Sequence, residues 1–181
     1  MSSENNGKRE ELKTAIKREE VGARIAKLGE TISRDYEGLE PVLVSVLRAS
    51  VYFTVDLTRH LDIPFILDFM AVSSYGEGSR PSGVVRITKD LEINIHQKHV
   101  LVVEGIVDTG LSLGYLLRNL QARQPASLEV CTLLNVEARR IADIPVKYKG
   151  FELPNIFAVG YGLDYKEKYR ELEYVAELIT T

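Results

Sequence analysis

The stretch that most constrains this chain is His99 to Ser112, His-Val-Leu-Val-Val-Glu-Gly-Ile-Val-Asp-Thr-Gly-Leu-Ser. It opens on an unbroken apolar run, Val100 to Val103. A run that short, β-branched and soon followed by glycine reads as a strand buried on both faces. Charge appears abruptly at Glu104 and Asp108, and Thr109, Gly110 and Ser112 follow. Leu113, Leu116, Leu117 and Leu120 then recur at helical spacing. A strand, a loop of acids, hydroxyls and glycine, then a helix, makes an anion site. Loop N–H groups, hydroxyls and the positive helix end all converge on one place. Glu104 and Asp108 fall at the carboxyl end of the strand, where open α/β sheets bind their ligands. Carboxylates facing hydroxyls and a loop facing phosphate suit a phosphorylated sugar.

The rest of the chain supplies the frame. Residues 1–13 are polar and charged and read as a flexible arm. Val21, Ile25, Leu28, Ile32 and Tyr36 form a helical stripe that stops before Gly38. Pro41 to Leu47 reads as a strand, Arg48-Ala49-Ser50 as a tight connection, and Val51 to Leu61 as a helix. Pro64 to Val72 is a second apolar strand, and Val84 to Thr88 a third. Between them Ser73 to Gly83 is rich in Gly, Ser and Pro, which predicts a long mobile loop of the kind that serves as an active-site lid. Leu128 to Leu134 is a strand, followed by a charged segment with Arg139 and Arg140. Phe157 to Gly162 reads as a strand closing on glycines, Asp164 to Arg170 as a polar turn, and Tyr174 to Ile179 as a final edge strand. Strands alternating with helices predict an α/β fold, a mostly parallel sheet with helices on both faces. There is no repeat and no linker, so residues 14–181 read as one domain.

Composition removes several function classes. A net charge of -3 gives no electrostatic case for nucleic acid. The single cysteine, Cys131, excludes a disulfide framework or a multi-cysteine metal site within the chain, and its apolar surroundings read as a buried structural thiol. No window approaches a membrane span, and the first residues lack an apolar signal core, so a cytoplasmic protein is expected. His60, His96 and His99 match no metal spacing.

The central stretch resembles the phosphoribosyl-pyrophosphate signature of the type I phosphoribosyltransferases. Ser74-Tyr75-Gly76, Ser82-Gly83, Lys149 to Pro154 and Gly160 to Tyr165 resemble the hypoxanthine-guanine branch of that family, and the similarity runs from about residue 20 to residue 179. The resemblance implies a type I fold with a small hood. It implies phosphoribosyl pyrophosphate and a purine base as ligands, Mg2+ as cofactor, and a homodimer or homotetramer. Carried over by position, Thr109, Gly110 and Ser112 hold the 5′-phosphate. Asp108 lies near purine N7 as a candidate general base, and Glu104 faces the ribose hydroxyls. Phe157 stacks on the base, with the Ala158 backbone at its Watson–Crick edge. Asp164 is a magnesium ligand. Arg48, Ala49 and Arg170 line the pyrophosphate site, and Ser74 and Tyr75 cover the leaving group.

Three positions depart from the family. Gly105 stands where an aspartate is expected, Ala49 where glycine follows the lysine replaced here by Arg48, and Asn135-Val136 where Asp-Lys is expected. That lysine normally donates to the 6-oxo group. Val136, at the same place in the purine site, donates nothing, and Arg139 or a water would have to substitute. The reading is a purine phosphoribosyltransferase making the nucleoside 5′-monophosphate and pyrophosphate. The alternative is a catalytically weak paralogue that binds purine nucleotide or phosphoribosyl pyrophosphate as a sensing protein.

Overall fold

The computed structural model describes residues 9–74 and 85–181. The predicted lid falls almost entirely outside them.

Six strands form the main sheet: β2 (Val42–Leu47), β3 (Ile66–Ser74), β4 (Val85–Lys89), β5 (His99–Val107), β6 (Ser127–Asn135) and β7 (Tyr148–Glu152). Their order is β4-β3-β2-β5-β6-β7. All neighbours are parallel except β3 and β4. The central strands β2 and β5 are the most apolar, and Val42 to Val44 and Val100 to Val103 are fully buried. Alternate residues of each strand point to opposite faces. Leu43, Leu101, Val103, Cys131 and Leu133 meet α1 (Arg18–Asp35) and α2 (Val51–Thr58) on one face. Val42, Val44, Val100, Val102 and Val130 meet α3 (Leu111–Gln121) on the other. The expected two-sided cover is therefore present, and Cys131 is a buried free thiol.

The stripe in α1 is buried at Val21, Ile25, Leu28 and Ile32. Each such side chain contributes roughly 1.5–3 kcal/mol by leaving water, so packing rather than propensity holds this helix. Arg24 of α1 donates to the carbonyls of Lys149 and Gly150, both at 2.7 Å, and so ties α1 to β7 at the edge of the sheet.

A second sheet, β1 (Glu10–Ile16), β9 (Val175–Thr180) and β8 (Ala158–Val159), runs in the order β1-β9-β8 and forms the hood. Several expectations change here. The last strand is central rather than an edge, because β1 pairs with it from Glu10↔Thr180 to Ile16↔Val175. Residues 10–13 belong to that paired strand and not to an arm. Phe157 to Gly162 keeps strand pairing only at Ala158–Val159, since Gly160 and Gly162 turn the chain at φ +93° and +98°. Tyr148–Glu152 is a strand that sequence reading left unassigned. Helix α2 also ends early, at Thr58 rather than Leu61. Among the described residues no helix is long and apolar enough to cross a membrane.

Candidate active site

The chain leaves β2 toward β3 on one side and β5 toward β6 on the other. The carboxyl ends of β2 and β5 therefore meet at a topological switch point, where such sheets open a crevice. Arg48-Ala49-Ser50 leaves one strand there, and Glu104 to Gly110 the other.

The β5 loop forms a cradle of backbone and hydroxyl groups. Glu104, Asp108, Thr109, Gly110 and Ser112 line a small cleft of about 60 Å³. Gly110 is the N-cap of α3 at φ +77°, a conformation that suits glycine. A Cβ there would also meet Ile144 Cδ1 at 2.8 Å. The Asp108 Oδ1 accepts the Thr109 N–H at 2.6 Å, while its Oδ2 lies 3.8 Å from Arg139 Nη1. Behind the loop, Thr109 O accepts the N–H groups of Ile141 and Ala142 at 2.9 and 3.0 Å. Arg140 donates to Asp108 O at 3.0 Å and to Val107 O at 3.4 Å. It also bonds the buried Asn135, which donates to Glu152 at 2.6 Å. This strap fixes the loop from outside the cleft. Sequence reading gave Arg140 no role, and the adjacent arginine pair after β6 was the available signal.

Glu104 is half-buried at the mouth of the same cleft. Desolvation pushes its carboxyl up to about 8, helped by the Asp108 charge and opposed by the Gly105 N–H.

The β2 loop is anchored by hydroxyls. Ser45 Oγ lies 2.8 Å from both Ser50 Oγ and Thr54 Oγ1, and Ser50 donates to Val46 O at 2.6 Å. The Leu47–Arg48 peptide is cis. The Ala49 carbonyl is wedged between two glycines: a Cβ on Gly105 would sit 2.9 Å from it, and one on Gly162 2.1 Å. The departures at Ala49 and Gly105 are thus one packing unit.

The third wall is the segment after β8. Phe157 is 50% exposed and meets Tyr165 edge-on, with ring centroids 5.7 Å apart. Its carbonyl accepts from Leu178 N at 2.9 Å. Alternate residues of an antiparallel pair bond across it, so the backbone groups of Ala158 face away from β9. Arg170 pairs with Asp164 at 2.7 Å and donates to Gly162 O at 2.8 Å. Asp164 also accepts Glu167 N–H at 3.0 Å, and Arg48 pairs with Glu167 at 2.7 Å.

One position falls elsewhere. Val136 is 1% exposed and packs in the core, with its N–H on Val107 O. It therefore closes the end of β6 and presents no accessible side chain. Tyr75 and the Ser74 side chain lie outside the described residues.

A family model described as a phosphoribosyl transferase domain matches residues 13–166. The hypoxanthine-guanine phosphoribosyltransferase of Mycobacterium tuberculosis is 49% identical over 88% of this chain and 82% of its own length. The hypoxanthine phosphoribosyltransferase of Salmonella typhimurium is 44% identical over 93% of this chain and 96% of its own. The crystal structure of a hypoxanthine-guanine phosphoribosyltransferase from Bacillus anthracis superposes with a TM-score of 0.88 at 39% identity, covering 95% of this chain and 100% of that one. This chain belongs to the hypoxanthine-guanine phosphoribosyltransferase family. Its main sheet and hood are those of a type I phosphoribosyltransferase.

A magnesium ion has limited protein support in this family member. Among the described residues no group of three or more His, Cys, Asp or Glu is placed to hold a metal. Asp164 offers one carboxylate. Magnesium commonly keeps its waters and binds one or two carboxylates plus substrate phosphates, so the donor set fits an ion that arrives with pyrophosphate.

Proposed function

We propose that this protein transfers the 5-phosphoribosyl group from phosphoribosyl pyrophosphate to a 6-oxopurine, hypoxanthine or guanine, giving the nucleoside 5′-monophosphate and pyrophosphate. The observation that carries this reading is the convergence of three walls on one crevice. A phosphate cradle with a carboxylate at its lip, two arginines from separate loops, and a half-exposed aromatic match the three parts of the substrates.

The residues then take these roles. Thr109, Gly110 and Ser112 hold the 5′-phosphate with hydroxyl and backbone donors ahead of α3. Glu104 accepts from the ribose hydroxyls. Arg48 and Arg170 receive pyrophosphate, with the Ala49 backbone beside them. Phe157 stacks on the purine and Ala158 meets its Watson–Crick edge through the backbone. Purine N9 forms its bond to C1′ as the C1′–oxygen bond to pyrophosphate breaks. Asp108 accepts the proton the purine gives up, and anionic charge beside the ring favours a cationic sugar in the transition state. Asp164 would hold magnesium, which neutralises charge on the leaving pyrophosphate. Residues 14–181 act as one domain, working in the cytoplasm as a homodimer or homotetramer.

The test is a magnesium-dependent assay with phosphoribosyl pyrophosphate against hypoxanthine, guanine, xanthine and adenine, with calorimetry of the nucleoside 5′-monophosphates alongside. Turnover of hypoxanthine or guanine supports the reading. A protein that binds the monophosphates but turns over none of the bases is the sensing paralogue instead.

A further inference from the structure

The resemblance implies a base-reading lysine at position 136, where this chain has the buried Val136. Val136 precedes a 3₁₀ turn, Glu137–Arg139, and Arg139 N–H bonds back to Val136 O at 3.2 Å. The turn takes the chain from the buried Val136 to the exposed Arg139 at the edge of the cleft. Its guanidinium lies 3.8 Å from Asp108 Oδ2 and is 42% exposed. The neighbouring polar groups are committed elsewhere. Asn135 is buried between Arg140 and Glu152, and Arg140 is spent on the carbonyls of Val107 and Asp108. Among the described residues Arg139 is the cation left beside Asp108.

We infer that Arg139 reads the purine's 6-oxo group in this protein, taking the task that a lysine at position 136 would perform. This rests on the proposed function, in which Asp108 marks the N7 edge of the purine. On a 6-oxopurine O6 adjoins N7, so a guanidinium beside the acid at N7 is on the side where O6 accepts a hydrogen bond. The cation also sits against Asp108, so one exposed guanidinium links the proton acceptor to the base.

The experiment measures kcat/KM for hypoxanthine and for unsubstituted purine, which lacks the oxygen, in the parent, Arg139→Ala and Arg139→Lys. Calorimetry of IMP and of purine riboside 5′-monophosphate reads the same discrimination without turnover. Arg139→Ala should lose about 10- to 150-fold on the 6-oxo compound, the scale of one charge-assisted hydrogen bond, and under about 3-fold on the other. Arg139→Lys should recover part of the difference. An equal loss on both compounds would make Arg139 a positioning residue for Asp108 and overturn the inference, as would no loss at all. A parent that neither binds IMP nor turns over any purine would sink the proposed function itself, which is a different failure.

Discussion

Glu167 holds Arg48 and Arg170 together: its carboxylate lies 2.7 Å from Arg48 Nη2 and 3.4 Å from Arg170 Nη2. The two arginines come from different loops, and a single anion bridges them. In the proposed reaction that anion is pyrophosphate, so Glu167 competes with it. Glu167→Gln should bind pyrophosphate roughly 2- to 5-fold more tightly, the range expected when an exposed ion pair is removed. Affinity for IMP should be unchanged. Calorimetry at two salt concentrations checks this, with Glu171→Gln as a control for simple loss of charge. Equal tightening in the control would mean that only the local field had changed.

Asp108→Asn should lower kcat by at least ~100-fold, the usual scale of general acid–base assistance, with nucleotide affinity changing much less. The substitution is a clean one. An asparagine oxygen can still accept the Thr109 N–H that Asp108 holds at 2.6 Å, so the cradle keeps its shape. Steady-state kinetics beside IMP calorimetry separates the two effects. Full turnover would remove Asp108 from the chemistry.

Much of this was legible in residues alone. Runs such as Val100 to Val103 read as two-sided core strands, and Gly110 ahead of the leucine stripe marks the start of a helix. The hood was less legible. Glu10–Ile16 is polar and mostly solvent-facing, so periodicity carried no signal, and its partner lies at the far end of the chain. Sequence order puts Val136 at the purine, yet its side chain is buried in the core, and it is Arg139, in the turn that follows, that is exposed beside Asp108. The fit of Ala49 to Gly105 was invisible for the same reason: only the three-dimensional approach of β2 and β5 brings them together.

Gly105→Asp follows from that contact. Seen from sequence, it restores a family carboxylate at the sugar. Against the Ala49 carbonyl 2.9 Å away, the new Cβ must displace backbone, at a cost of about 1–3 kcal/mol typical of overpacking. The single variant should therefore lose stability and gain no affinity for phosphoribosyl pyrophosphate. Adding Ala49→Gly, which frees the loop to move, should return part of the stability. Thermal unfolding of the parent, both singles and the double variant forms the cycle. Additive losses would show that the two positions do not share a unit.

The Glu104 carboxyl, raised to about 8 in the folded protein from its ordinary 4.5, sets a pH dependence. Between those values the folded state holds a proton that the unfolded chain has released. Its contribution to stability is therefore complete below about 4.5 and is lost as pH rises through 8. Glu104→Gln should remove that slope, so that parent and variant stabilities diverge across the window. Denaturant titrations at pH 5, 7 and 9, values set by that shift, read the difference. Parallel curves would mean the carboxyl titrates normally.

In the proposed function the two sheets divide the substrate between them. The proposed phosphate cradle stands on β5, deep in the six-stranded sheet, whereas Phe157 and Ala158 stand on a three-stranded hood whose β1 and β9 pair from Glu10↔Thr180 to Ile16↔Val175, far apart in the sequence. Small sheets with few buried side chains open locally at lower free energy than a domain core. On warming, hydrogen exchange in β1, β8 and β9 should accelerate first. The molecule would then pass through a state that still grips a sugar phosphate but has become indifferent to which base it carries.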